Sequence, residues 1–264
     1  MPAPPWRTAR KAVPAYAPAP MQWPTATADA PCAVRLLRPA FAGALLLLAT
    51  QAAAQFSGSV SAVSDYRYRG VSLSDGSPVA QLRLDYDGKS GWYAGGVASG
   101  ANLREEGRSH AQLQAYAGYS AQRSSGLAWE VGGTGAIFPC AAAYNYAEIF
   151  AGFAAADLSG RLYFSPDYLS LRAKTLYVEL NGSRALAERL HLLGHIGLLH
   201  AFDRPKRSEA YATSQADISI GASADLADWK IRLTWSAARK NDEDNRLYEG
   251  RSTHAWVLSA SYAF

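Results

Sequence analysis

The chain has 264 residues, with 26 basic against 22 acidic side chains, a sequence pI of about 9.0 and two cysteines. Five basic residues (Arg7, Arg10, Lys11, Arg35, Arg38) and one acid (Asp29) precede residue 55, which leaves 21 of each sign beyond it. The basic pI therefore belongs to the N-terminal stretch and gives no charge-driven nucleic-acid surface to the rest, and Cys140, alone beyond residue 54, excludes an internal disulfide there.

The first 34 residues are rich in Pro and Ala without a hydrophobic period, and Met21 is an alternative start. Arg35 and Arg38 then precede an apolar run, Ala40 to Ala49, and a small-residue stretch ending at Ala54. Basic region, apolar region and small-x-small site together predict a secretory signal cleaved after Ala54. The run is shorter than the ~20 apolar residues of a spanning helix. Cys32 lies upstream of it and so is not a lipid-attachment cysteine. The expected division is 1–54, an N-terminal extension and cleaved signal peptide for Sec export, and 55–264, one outer-membrane domain.

Beyond residue 54 the chain alternates with period two. Ala80, Leu82, Leu84 and Tyr86 face one way, and Gln81, Arg83, Asp85 and Asp87 the other. Trp229, Ile231, Leu233 and Trp235 alternate with Lys230, Arg232, Thr234 and Ser236. Each such segment predicts a strand with one apolar and one polar face. About twelve begin near Phe56, Val79, Trp92, His110, Leu127, Tyr144, Leu158, Lys174, Leu190, Ser214, Trp229 and His254. The third and ninth lack a clean polar face. Most run ~9–11 residues, the length with which a tilted strand crosses a membrane.

Connectors after even-numbered strands are short, as at Gly88–Gly91 and Ala156–Asp157, with a longer one from Gly182 to Arg189. After odd-numbered strands they are mostly long and polar, as at Gly70–Pro78 and Lys240–Thr253. Short periplasmic turns and long external loops are the pattern of an outer-membrane barrel. The expected fold is all-β: a transmembrane antiparallel up-and-down β-barrel of about twelve strands, in the cell outer membrane of a Gram-negative bacterium. Aromatics near strand ends (Tyr66, Tyr68, Tyr86, Trp92, Tyr119, Trp129, Trp229, Tyr262) fit interfacial girdles. The expected surroundings are outer-membrane lipid and lipopolysaccharide.

A charge facing lipid at mid-depth costs ~2–4 kcal/mol, so charged strand residues are expected to face the lumen. The candidate pore-lining residues are Asp65, Arg67, Arg69, Arg83, Asp85, Glu130, Glu148, Arg161, Glu179, Asp217, Lys230 and Arg232, six basic and six acidic. Asp65, Arg67 and Arg69 are placed on the first strand's inner face, with Tyr66 and Tyr68 toward lipid. Such charges line a water-filled pore, or pair between strands and plug the barrel; both readings stand at this point.

Other constellations are weaker. His191 and His195 share a strand face roughly 13 Å apart, too far to hold one ion together. Asn241–Asn245 lacks the spacing of a calcium loop. Gly133-Thr134-Gly135 lacks the third glycine of a dinucleotide loop. No catalytic residue, metal or cofactor is expected.

The run Ser64-Asp65-Tyr66-Arg67-Tyr68-Arg69-Gly70, with Ser72 and Pro78, resembles the opening motif of the TorF family of proteobacterial porins. Gly91-Trp92-Tyr93-Ala94-Gly95, Tyr146-Ala147-Glu148 with Gly152, Tyr163 to Tyr168 and the closing strand extend the resemblance over most of residues 55–264. It implies an outer-membrane barrel and passive solute passage, and supplies no catalytic residue. It also implies that the barrel-assembly machinery reads the closing strand, which ends in Phe264. The function expected is a porin-like channel for passive diffusion of small hydrophilic solutes. The alternatives are a closed structural or adhesive barrel acting through its external loops and, third, an outer-membrane enzyme.

Overall fold

The computed structural model describes residues 55–102, 109–139, 144–168, 173–202, 214–240 and 252–264. The predicted signal, the Asn241–Asn245 run and Cys140 lie outside the described residues.

Twelve antiparallel strands close into a barrel: β1 (Phe56–Val63), β4 (Val79–Asp87), β5 (Trp92–Asn102), β6 (Ser109–Gln122), β7 (Ala128–Ile137), β8 (Tyr146–Ala155), β9 (Leu158–Tyr168), β10 (Ala173–Ala187), β11 (Leu190–Ala201), β12 (Ser214–Leu226), β13 (Trp229–Lys240) and β14 (His254–Ala263). Two further strands, β2 (Arg67–Tyr68) and β3 (Val71–Ser72), form a separate hairpin. Each wall strand pairs with its sequence neighbours, the simplest ladder a meander can make. The seam joins β1 to β14 from Ser59 opposite Ala263 to Val63 opposite Ser259. Phe264 locks the seam's lower end: its N–H donates to the Gly58 carbonyl at 3.0 Å, and its carbonyl accepts the Gly58 N–H at 3.0 Å.

The alternation in the sequence becomes two surfaces. Val60, Leu84, Ile149, Ile196, Ile220 and Leu258 are among the exposed apolar side chains on the outside. In water so large an apolar surface would drive association; facing lipid it costs nothing. At the short-turn rim Trp92, Tyr119 and Trp129 touch in sequence, with ring centroids 5.4 and 5.8 Å apart, and Trp229 meets Tyr262 at 5.2 Å. This is an interfacial girdle.

Two segments differ from expectation. β10 continues to Ala187, so the turn after it is Glu188–Arg189 rather than Gly182 to Arg189. The period-two pattern fades there because the end of β10 is exposed on both faces, which leaves no burial contrast to read. The stretch Asp65–Gly70 is no part of the first wall strand: β1 stops at Val63, and residues 64–78 turn into the barrel.

Candidate functional site

The barrel lumen carries the site, and its most distinctive part is the inward segment. β2 and β3 pair Arg67 with Ser72 and Tyr68 with Val71. Arg69 and Gly70 are left as a two-residue turn with φ of 46° and 77°. Positive φ at both central residues matches the right-handed twist of paired strands. Asp75 and Gly76, with φ of 54° and 71°, make a second such bend, closed by the Ser77 N–H donating to the Ser74 carbonyl at 3.0 Å. A Cβ on Gly70 would lie 2.7 Å from Ala238 Cβ on β13 and 2.8 Å from Asp217 Cβ on β12. The turn therefore reaches the opposite wall, where only glycine fits.

Polar and aromatic contacts hold the hairpin. Asp65 accepts from Arg67 Nε at 2.7 Å, Ser72 Oγ at 2.5 Å and Ser74 Oγ at 3.2 Å, which folds the segment on itself. Tyr66 Oη donates to Gln112 on β6 at 2.8 Å, and Gln215 on β12 donates to the Arg69 carbonyl at 2.6 Å. Burial pushes the Tyr66 hydroxyl's pKa up, against the pull of Gln112, so the phenol stays a neutral donor. Arg69 Nη2 meets both oxygens of Glu148 on β8 at 2.9 Å. Its guanidinium lies 4.0 Å from the Tyr177 ring centre and 4.6 Å from that of Tyr68, within cation–π range. Tyr66, Tyr68 and Leu73 pack into one apolar cluster with Phe138, Tyr144, Tyr146 and Tyr168.

The expected placement of Asp65, Arg67 and Arg69 is thus corrected. All three are buried inside the barrel, but on a hairpin rather than on the wall, and Tyr66 and Tyr68 are buried with them instead of facing lipid. A short hairpin in a cavity has no lipid-facing side, so its alternation does not sort apolar from polar.

Around and below the hairpin the wall carboxylates are tied down in one recurring way. A long inward side chain lies over a glycine of the neighbouring strand and binds a carboxylate one strand further on. Arg161 on β9 crosses its register partner Gly152 and reaches Glu130 on β7 at 2.5 Å. Tyr116 on β6 crosses Gly95 and bonds to Asp85 on β4. Tyr177 on β10 crosses Gly197 and donates to Asp217 on β12 at 3.1 Å. Cβ atoms on these glycines would fall 2.8 Å from Arg161 Cγ, 2.8 Å from Asp85 Oδ1 and 2.6 Å from Asp217 Oδ2. The glycines are notches in the wall, and the side chains in them lie along it rather than across the lumen. Gly197→Ala is expected to destabilise the barrel by about 1–3 kcal/mol through overpacking. Gly194→Ala, on the same strand with open space around it, should be close to neutral. Urea midpoints in detergent micelles compare the two; equal midpoints would remove the notch from the account.

Arg83 binds Asp85 at 2.6 Å on the inner face of β4. Lys230 pairs with Asp225 at 2.9 Å near the turn rim, and Arg232 stands next along that face of β13. Glu179 is buried on β10. His195 bridges strands: Nε2 is 2.7 Å from Asp217 Oδ1, and Nδ1 is 2.7 Å from Asn181 Oδ1. Both ring nitrogens are engaged by neighbouring side chains, Nε2 also by Tyr177 Oη at 3.3 Å. His191 shares the inner face and His200 is exposed. Gln112, Gln215, Asn181 and the notch glycines did not stand out in the sequence. Their signal was a glycine on a polar face, which gains meaning only once register sets it beside a tyrosine or arginine.

Residues 49–264 match the model of the family described as "Bacterial protein of unknown function (Gcw_chp)". No curated protein sequence matches the chain. Among solved structures, the NanC porin aligns with a TM-score of 0.52 at 11% identity, covering 78% of this chain and 98% of that one. The KdgM porin aligns with a TM-score of 0.48 at 11% identity over 79% and 99% of the two chains. LpxR from Salmonella typhimurium aligns with a TM-score of 0.41 at 8% identity over 79% and 99%. The NanC likeness is one of fold.

Proposed function

We propose that this chain, which belongs to the Gcw_chp family of bacterial proteins, is a narrow outer-membrane channel passing small hydrophilic solutes by diffusion, constricted by its own first loop. One observation carries the reading. The pairs Arg83–Asp85 and Arg161–Glu130 face inward in a closed barrel, yet their side chains are 30% and 23%, and 25% and 19%, exposed. Side chains inside a closed wall are exposed only where the lumen admits water. The notch arrangement has the same consequence, since it keeps long polar side chains out of the path.

The TorF porin resemblance supports passive passage. Residues 35–54 act as the Sec signal and residues 55–264 as the mature barrel. Phe264 is the residue offered to the assembly machinery. Arg83, Asp85, Glu130, Arg161, Lys230 and Arg232 line the turn-side vestibule; Asp65, Arg67, Arg69, Glu148, Glu179 and Asp217 surround the constriction. The protein performs no covalent chemistry.

A second reading, the closed barrel acting through its external loops, is favoured by the burial of Glu148, Ser165, Thr175 and Gln215 around the hairpin. Refolded protein in a planar bilayer separates them. Discrete current steps from protein shown folded by its heat-dependent gel shift are the expected result. Folded, inserted protein without steps would overturn the channel in favour of the closed barrel.

A further inference from the structure

The hairpin fills its level of the lumen unevenly. Gln112 on β6, Glu148 on β8, Thr175 on β10, Gln215 on β12 and Ser236 on β13 are each 3% exposed or less. On β1 and β14 the inner faces stay partly exposed, at Val63 and Val257 towards the hairpin and at Ser59, Ser61, Ser259 and Ser261 towards the turn rim. Gln81, opposite Ser61 on β4, is likewise partly exposed.

The difference follows from side-chain length. The hairpin's bonds run to Gln112 on β6, to Glu148 on β8, to Gln215 on β12, from the Asn102 N–H at the end of β5 and, through Arg67 Nη2, to the Ser252 carbonyl at 3.1 Å just before β14. Its turn presses on Ala238 and Asp217. The seam strands present only serine, alanine and valine inward, too short to meet the hairpin with their own side chains. Ser61 and Ser261 face each other across the seam with their hydroxyls 2.8 Å apart.

We infer that the water-filled passage runs beside the hairpin along the β1–β14 seam, over the hydroxyls of Ser59, Ser61, Ser259 and Ser261. This rests on the channel reading above and adds where the solute goes and what meets it. Hydroxyls donate and accept, so they replace part of a solute's hydration shell without fixed charge. The strip itself carries no ionisable side chain, but Arg83, Arg232 and Lys230 on the adjacent strands are the register partners of Ser59, Ser259 and Ser261, so size and hydration sort solutes on the strip and charge acts from its flanks. The class it takes is small, hydroxyl-rich or otherwise strongly hydrated molecules.

Cysteine accessibility tests the assignment. In a Cys140→Ser background, Ser61→Cys and Ser259→Cys are compared with Thr175→Cys and Ser236→Cys, each first shown folded by gel shift. The probes are a cationic and an anionic methanethiosulfonate, applied to single channels in a planar bilayer. Modification at Ser61→Cys or Ser259→Cys should cut the current by roughly half or more with either probe, because the added group occupies the path. The two control positions should be silent. Ser61→Gln, which needs no reagent, should lower the current in the same direction. A conducting barrel blocked at Thr175→Cys or Ser236→Cys, or silent at both seam positions, overturns the seam passage while leaving the channel in place. Wild-type protein that never conducts is a different failure, visible before any variant is made, and overturns both.

Discussion

Replacing residues 65–77 by Asn-Gly is expected to leave the twelve-strand barrel intact and raise single-channel conductance several-fold. β1 and β4 are paired up to Val63 opposite Val79, so a four-residue connection, Ser64 and Pro78 flanking the new pair, spans the gap as an ordinary hairpin loop. Keeping Ser64 preserves its N–H bond to the Leu258 carbonyl, 2.9 Å, at the seam. The excised segment gives no strand to the barrel ladder. Its removal exposes Gln112, Gln215 and Glu148 to water entering from above, which solvates them rather than leaving them stranded. What disappears is the cluster of Tyr66, Tyr68 and Leu73 that narrows the upper lumen. The measurement is unit conductance, wild type against deletion, with folding checked by gel shift. Unchanged conductance from a folded deletion would show that the hairpin does not limit flow.

Glu148→Ala is expected to be the most damaging single substitution in the lumen, costing about 3–5 kcal/mol because it strands a buried cation. Arg69 and Glu148 have side chains 2% and 1% exposed. The tyrosine faces around Arg69 attract its charge, but they do not take the place of the two carboxylate contacts. Arg69→Ala leaves Glu148 as the stranded partner and should also destabilise. The double variant should cost less than the sum of the two, the mark of a direct pair. In bilayers either single variant should also make the current noisier, since the hairpin loses its tie to β8. Urea unfolding followed by tryptophan fluorescence gives the energies. Additive effects in the double variant would mean that the two residues act separately.

The wall of this barrel is legible in the sequence, down to the starting residue of most strands. Alternation on segments such as Ala80–Asp87 and Trp229–Ser236 reports burial contrast directly. Even β5 and β11, whose polar faces are indistinct, are fixed by their neighbours once the strand count must close. The inward pairing of Arg83 with Asp85 also follows from one strand alone, because residues two apart share a face. The ties from Arg161 to Glu130 and from Tyr177 to Asp217 do not follow this way. They skip a strand, and nothing local announces that Gly152 or Gly197 lies between.

The hairpin shows where local reading ends. Two signals were present, Asp75-Gly76 and Arg69-Gly70, both suited to turns with positive φ. They say that the chain bends there, and nothing about the side of the wall on which the bend falls. The sequence by itself determined the strands, their faces, the sorting of short turns from long loops and the aromatic rim, because each is set by crossing an apolar slab with a closed ladder. Only the tertiary structure decided that residues 64–78 fold inward. The partners that hold them there, Gln112, Glu148 and Gln215, stand 46, 79 and 146 residues away from the hairpin residues they bind. No pattern within a segment encodes contacts of that range; closure of the barrel brings them to one level, and the burial of Arg69 against Glu148 follows from it.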